Sequence, residues 1–164
     1  MKTKTPERIL KGSVYESRVQ AGKDFENALK LILIKEGWKV LPTDGRPTDV
    51  LAELNGYKLL IEAKDIEKSN IQVTKEGRIT IWKYGRPYPF RTRPYFKAKE
   101  RNHPNLAIIV TTATINFTEY EAVAIVNDAV IKVLNYNHFK SWIHSHTGRI
   151  GPGKLTDFLT QMQA

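Results

Sequence analysis

Asn55-Gly56 lies between two strand-like runs, Asp49 to Leu54 and Tyr57 to Lys64, and this arrangement constrains the chain more than any other feature. A two-residue type I′ turn needs positive φ at both central positions, which asparagine followed by glycine accepts. Such a turn fixes the register. Pairing Leu54 with Tyr57 sets Glu53 against Lys58, Ala52 against Leu59, Leu51 against Leu60, Val50 against Ile61 and Asp49 against Glu62. One face of the hairpin then carries Val50, Ala52, Leu54, Tyr57, Leu59, Ile61 and Ala63, a continuous core surface. The other carries Asp49, Leu51, Glu53, Lys58, Leu60, Glu62 and Lys64, so its far end holds two opposed carboxylates beside a lysine.

Around this hairpin the chain reads as α/β. Apolar residues from Val14 and Val19 through Phe25, Ala28, Leu29, Ile32 and Leu33 recur at helical spacing, predicting one long helix over Gly12 to Glu36 with a possible break at Gly22 and a stop at Gly37. Trp38 to Leu41 reads as a short strand ended by Pro42, followed by a loop at Asp44-Gly45-Arg46-Pro47. Ile71 to Trp82 reads as a second hairpin turning at Glu76-Gly77, and an irregular basic and aromatic stretch then runs to Arg101. Leu106 to Ile115 has the β-branched apolar character of one buried central strand. Two more strands flank Asn127-Asp128, and Tyr136 to His146 suggests a short helix. The expected architecture is a central mixed β-sheet flanked by helices. A length of 164 residues fits a single domain, 1–164, with a basic aromatic excursion at about 67–101.

The opposed carboxylates imply chemistry. Like charges facing each other destabilise a sheet unless a cation or a proton lies between them. Mg²⁺, for which Mn²⁺ can substitute, uses one or two carboxylates together with waters and phosphate oxygens. Lys64, on the same face as Glu62, is placed to hold or help deprotonate an attacking water while a metal polarises a scissile phosphate. The alternative is an exposed charge cluster closed by an ordinary salt bridge.

The same residues carry a family resemblance. Gly22-Lys23-Asp24-Phe25-Glu26, Gly37-Trp38-Lys39-Val40, Pro47-Thr48-Asp49 and Ile61-Glu62-Ala63-Lys64 together resemble the PD-(D/E)xK nuclease superfamily, over roughly residues 20 to 65. Only Glu62 among the acidic residues has a lysine two places on, so the signature has one placement; Thr48 stands between Pro47 and Asp49, a departure at a position that is not a ligand. The resemblance implies a restriction-endonuclease-like fold with catalytic residues Glu26, Asp49, Glu62 and Lys64. It implies that Asp49, Glu62 and the Ala63 carbonyl bind metal, that Glu26 reaches the metal through water, and that Lys64 acts on the attacking water. Within the superfamily the first helix is most similar to that of archaeal Holliday-junction resolvases. Lys11-Gly12-Ser13-Val14-Tyr15-Glu16 mimics the same opening, but Glu16 lies too far back along the helix to share the hairpin's site.

Charge indicates how a substrate would be held. The chain carries a formal charge of +9, which calls for a polyanionic partner. Nine basic residues between Lys75 and Arg101 face only Glu76 and Glu100. The candidate DNA contacts are Arg78, Lys83, Arg86, Arg91, Arg93, Lys97 and Lys99, with Trp82 and Tyr84 among the interleaved aromatics for stacking. A solvated loop with an aromatic cluster, or a dimer contact, is the alternative. Two readings of function follow: a Mg²⁺-dependent endonuclease cutting DNA as a Holliday-junction resolvase or as a restriction-like duplex cutter, or a non-catalytic DNA-binding protein retaining the fold. Products of the former would carry 5′-phosphate and 3′-hydroxyl ends. Cutting both strands of a duplex needs two sites, which a homodimer supplies.

Other signals carry little. The absence of cysteine excludes thiolate chemistry and fits a reducing cytoplasmic compartment, and the N-terminus lacks the apolar run of a signal peptide. Gly148 to Lys154 resembles half of a phosphate-binding loop, but Leu155 stands where Ser or Thr is required. His144 and His146 lack an evident third metal ligand.

Overall fold

The structure, a computed structural model, describes residues 6–43 and 49–150, with side chains from Gln20 onward. The loop at Asp44-Gly45-Arg46-Pro47, Thr48, the side chains of Val14, Glu16 and Val19, and the end of the Gly148 to Lys154 run therefore lie outside the described residues.

Strands β2 (Asp49–Leu54) and β3 (Tyr57–Lys64) form the expected hairpin, with all six pairs in the predicted register from Leu54↔Tyr57 to Asp49↔Glu62. Asn55 and Gly56 take φ of 51° and 81°, as a type I′ turn demands. Strand β1 (Lys39–Leu41) pairs antiparallel with β2, and β7 (Leu106–Thr111) pairs parallel with β3. Asn127 and Asp128, both at positive φ, join β9 (Glu121–Val126) to β10 (Ala129–Asn135). The resulting mixed sheet runs β1-β2-β3-β7-β10-β9.

Helix α1 (Pro6–Lys35) is continuous through Gly22, so no break occurs there. It ends in a Schellman arrangement, with Gly37 N–H donating to the Ile34 carbonyl at 3.0 Å and Trp38 N–H to the Leu33 carbonyl at 2.9 Å. Phe25, Leu29, Ile32 and Leu33 pack with Phe139 and Ile143 of α3 (Tyr136–Ile150) against Val50, Ala52, Leu59, Ile61 and Ala63, the face assigned to the core from the alternation. Among the described residues no helix is long and apolar enough to cross a membrane.

The expected mixed sheet flanked by helices is present, and its second face carries a further sheet besides a helix. Leu51, Leu60 and Ile109 are buried there under a second sheet, which runs β6 (Arg86–Pro89), β5 (Ile79–Lys83), β4 (Asn70–Val73), β8 (Thr114–Ile115), together with helix α2 (Arg93–Asn102). The basic stretch to Arg101 is therefore not irregular. It contains β6 (Arg86–Pro89), paired with β5 (Ile79–Lys83), and α2 (Arg93–Asn102). Pro87 and Pro89 hide β6 in the sequence, yet proline is tolerated at this sheet edge because one side of the strand has no partner strand among the described residues. Strand β4 (Asn70–Val73) pairs with β5 as the expected second hairpin. Leu106 to Ile115 is likewise two strands: after β7 the chain leaves the first sheet, and β8 (Thr114–Ile115) joins β4 in the second. Two side-chain clamps fix this switch. Thr112 Oγ1 accepts the Ile66 N–H at 2.9 Å, and Asn135 Nδ2 donates to the Ala113 carbonyl at 2.6 Å.

Candidate active site

The register of β2 and β3 forces Asp49 and Glu62 onto one face, because the positions alternating with them, Val50, Ile61 and Ala63, are claimed by the α1 side of the core. Both carboxylates are buried, with relative exposures of 4% and 1%. Asp49 Oδ1, Glu62 Oε1 and Glu62 Oε2 are shielded from solvent and have no hydrogen-bond partner among the described residues. Leaving a buried carboxylate in this state is strongly unfavourable, so the pair requires a proton or a cation. Burial, and then the adjacent Asp49 carboxylate, push the pKa of Glu62 up to about 8, with Lys64 opposing the rise.

Lys64, partly exposed at the end of β3, places Nζ 3.8 Å from Glu62 Oε1 and 5.4 Å from the centre of the Phe90 ring. The end of the strand is held by Thr112, whose N–H donates to the Lys64 carbonyl at 3.2 Å and whose hydroxyl donates to Asp65 Oδ1 at 3.0 Å. Glu26 approaches from α1 and is itself buried, at 7% exposure. Desolvation raises its pKa to about 7; Lys30 lowers it and Asp49 adds to the rise, so Glu26 shares the field of the hairpin carboxylates.

The donor set fits a hard divalent cation. Three carboxylate oxygens of the paired Asp49 and Glu62 accept no hydrogen bond among the described residues, and Mg²⁺ commonly takes one or two carboxylates while keeping several waters. Among the described residues no three His, Asp or Glu side chains converge as a preformed cage. His144 and His146 do not form a metal pair: His144 Nδ1 lies 3.1 Å from both Glu36 carboxylate oxygens, while His146 stacks on Trp142 at 4.7 Å between ring centroids. Gly148 to Ile150 belong to α3, so no strand precedes them as a phosphate-binding loop requires.

Sequence reasoning missed Arg101 as a neighbour of the site. Its Nη2 lies 3.4 Å from Asp49 Oδ2, an ion pair delivered by the C-terminal turn of α2. Nothing in the local sequence marks this contact, since it depends on α2 packing beside β3. The basic residues fall into groups. Arg91, Arg93 and Lys97 line a cleft of about 680 Å³ at the start of α2, with Lys99 exposed farther along the helix. Lys83, Tyr84 and Arg86 surround the β5–β6 turn beside Trp82. Arg78 sits at the opposite end of β5 from Lys83, about 16 Å away at strand rise, and is not brought together with the others. Of the interleaved aromatics, Phe90 and Tyr95 are core residues rather than surface contacts.

Comparison with known proteins adds a family-model match. No curated protein and no solved structure matches the chain. A family model described as archaeal Holliday junction resolvase (hjc) matches residues 17–137, a span that runs from within α1 past both sheets and takes in Glu26, Asp49, Glu62, Lys64 and the whole basic segment. With most of its length inside that match, and with a mixed sheet flanked by helices as the superfamily requires, the chain belongs to the archaeal Holliday junction resolvase family of PD-(D/E)xK nucleases.

Proposed function

We propose that the protein is a Mg²⁺-dependent endonuclease that resolves four-way DNA junctions. The observation that carries this reading is the opposed, buried pair Asp49 and Glu62, flanked by Lys64 and Arg101, with three oxygens that accept no hydrogen bond among the described residues. Family membership favours branched DNA over a restriction-like duplex target.

Asp49 and Glu62, with the Ala63 carbonyl, would hold the metal, and Mn²⁺ would serve in its place. When bound, the ion supplies Lewis-acid stabilisation of the phosphate charge that develops in the transition state. The chain's own groups do the remaining work. Lys64 orients a water at the mouth of the site and offers its positive charge to the phosphate oxygens. Glu26 holds the far side of the water network, and Arg101 keeps Asp49 in place. The water oxygen forms the new bond to phosphorus, the P–O3′ bond breaks, and a proton passes to the departing oxygen. This leaves 5′-phosphate and 3′-hydroxyl ends. Arg91, Arg93, Lys97 and Lys99, with Lys83 and Arg86, would track the backbone, a role that confers affinity without sequence information. A homodimer would bring two such sites to opposite strands of a junction.

The test compares wild type with Lys64→Ala and Asp49→Ala on a synthetic four-way junction and on linear duplex, with Mg²⁺ or with EDTA. Cleavage is expected on the junction, only with Mg²⁺, and slower by at least about a hundredfold in either variant. Wild type that binds these DNAs and cuts none, with neither variant altering anything, would leave a DNA-binding protein that retains the fold.

A further inference from the structure

The turn joining β5 to β6, Tyr84-Gly85, has φ of 55° and 70° at its two positions. Tyrosine thus occupies the site where asparagine or aspartate is the usual choice. Phe117 repeats the pattern after β8, at φ 65° directly following Asn116 at 46°. Bulky side chains are rare in this region of backbone space, and both rings are also left in solvent, with exposures of 83% and 66%. Backbone preference and the hydrophobic effect both disfavour aromatics at these two positions. The two rings nevertheless line one cleft of about 410 Å³, together with Trp82, Lys68, Ser69 and Asn70.

Two polar groups lie recessed in residues that line the cleft. Ser69 and Asn70 are only 5% and 7% exposed, and neither Ser69 Oγ nor Asn70 Nδ2 has a partner among the described residues. The Asn70 amide is pinned, because its Oδ1 accepts from Thr114 Oγ1 at 2.9 Å and from the Phe117 N–H at 2.8 Å. Its NH₂ is therefore left as a fixed, unused donor. At the rim, Lys83 Nζ lies 5.4 Å from the centre of the Tyr84 ring and Lys68 adds a second cation.

We propose that this cleft receives one unstacked nucleobase of branched DNA, stacked on its aromatic walls and hydrogen-bonded through a ring carbonyl to the Asn70 amide. The inference rests on the branched-DNA reading above, since stacking is interrupted at a branch point and a base there leaves the helix at lower cost than one within a continuous stack. Thymine, cytosine and guanine present a carbonyl oxygen that projects beyond the ring toward this recessed amide, whereas adenine presents only ring nitrogens, flush with its edge, as acceptors. Lys68 and Lys83 face the flanking phosphates.

The full chain in EDTA, followed by fluorescence anisotropy, tests it on three duplexes: fully paired, with one extrahelical thymine, and with one extrahelical adenine. Wild type is expected to bind the thymine bulge about tenfold more tightly than paired duplex, near the low end of one base–aromatic stack, and more tightly than the adenine bulge. Phe117→Asn and Tyr84→Asn, both compatible with positive φ, should each bring the ratio of bulged to paired affinity toward one. Equal wild-type affinity for bulged and paired DNA, equal affinity for the two bulges, or a ratio unchanged in both variants overturns the proposal. Four-way junction cleavage with Mg²⁺ is read separately. A junction cut without any bulge preference removes the cleft alone, whereas a thymine preference without junction cleavage removes the resolvase reading and leaves the cleft standing.

Discussion

Glu62 is the residue on which the electrostatics of the molecule concentrate. Its neighbours on the strand are forced into two apolar cores, so its carboxyl is buried whether or not a cation is at hand. Without metal the folded state keeps Glu62 protonated up to about pH 8, against an ordinary value of 4.5. Between those values the native state binds more protons than the unfolded chain. The contribution of this group is then fully present below about pH 4.5 and is lost as pH rises through about 8. In EDTA, thermal unfolding should show Glu62→Gln gaining on wild type as pH increases from about 5 to about 9, since the amide has no charge to bury. Added Mg²⁺ should raise the wild-type Tm at the alkaline end and leave Glu62→Gln unmoved. A Tm difference independent of pH would remove the buried-carboxylate account. Glu26, raised to about 7, acts in the same direction over a narrower window.

Elements differ in how openly they announce themselves. The β2–β3 hairpin was legible because its turn chemistry and its alternation agree, and the end of α1 because Gly37 terminates it. Strand β6 was hidden by its prolines. Helix α2 was hidden by its charge, although Pro94 in its first turn and the Tyr95 and Ala98 pair on its buried side were available as signals. One contact between elements depends on a single glycine. Gly77, at φ +89°, closes the β4–β5 turn so near to β9 that its carbonyl accepts the Ile125 N–H at 2.9 Å. A Cβ there would lie 2.7 Å from Ile125 N and 2.8 Å from Ile125 Cβ. Gly77→Ala should therefore lower stability by about 2 kcal/mol, combining backbone strain with a clash that the strand must relieve by moving. Urea denaturation measures this, and an unchanged midpoint would show that the second sheet is not anchored to β9 through this turn.

At the scale of the whole molecule the layers give the charge its direction. The first sheet separates α1 and α3 from the second sheet and α2, and the basic segment lies on the same side as the Asp49 and Glu62 carboxylates. An excess of +9 spread evenly would bind polyanions weakly, whereas Arg91, Arg93 and Lys97 around one cleft form a track for phosphates. Junction affinity should fall linearly on a log–log plot against salt. The triple variant Arg91→Ala, Arg93→Ala, Lys97→Ala should reduce the magnitude of that slope by about 2 to 3, equally for junctions of unrelated sequence. An unchanged slope would mean that DNA is held elsewhere on the surface.

The sequence by itself determined the register of the hairpin, and hence that Asp49, Glu62 and Lys64 share a face, because a two-residue turn and a period of two leave no freedom once the core side is known. It also determined the class of fold, because the elements of the first sheet carry strong local patterns. Only the tertiary structure decided that the carboxylates are buried, that Arg101 reaches Asp49, and that two exposed aromatics from turns far apart in the chain line one cleft. These depend on packing between elements distant in sequence. Burial and cross-element contacts are properties of the assembled layers, which no local spacing of residues encodes.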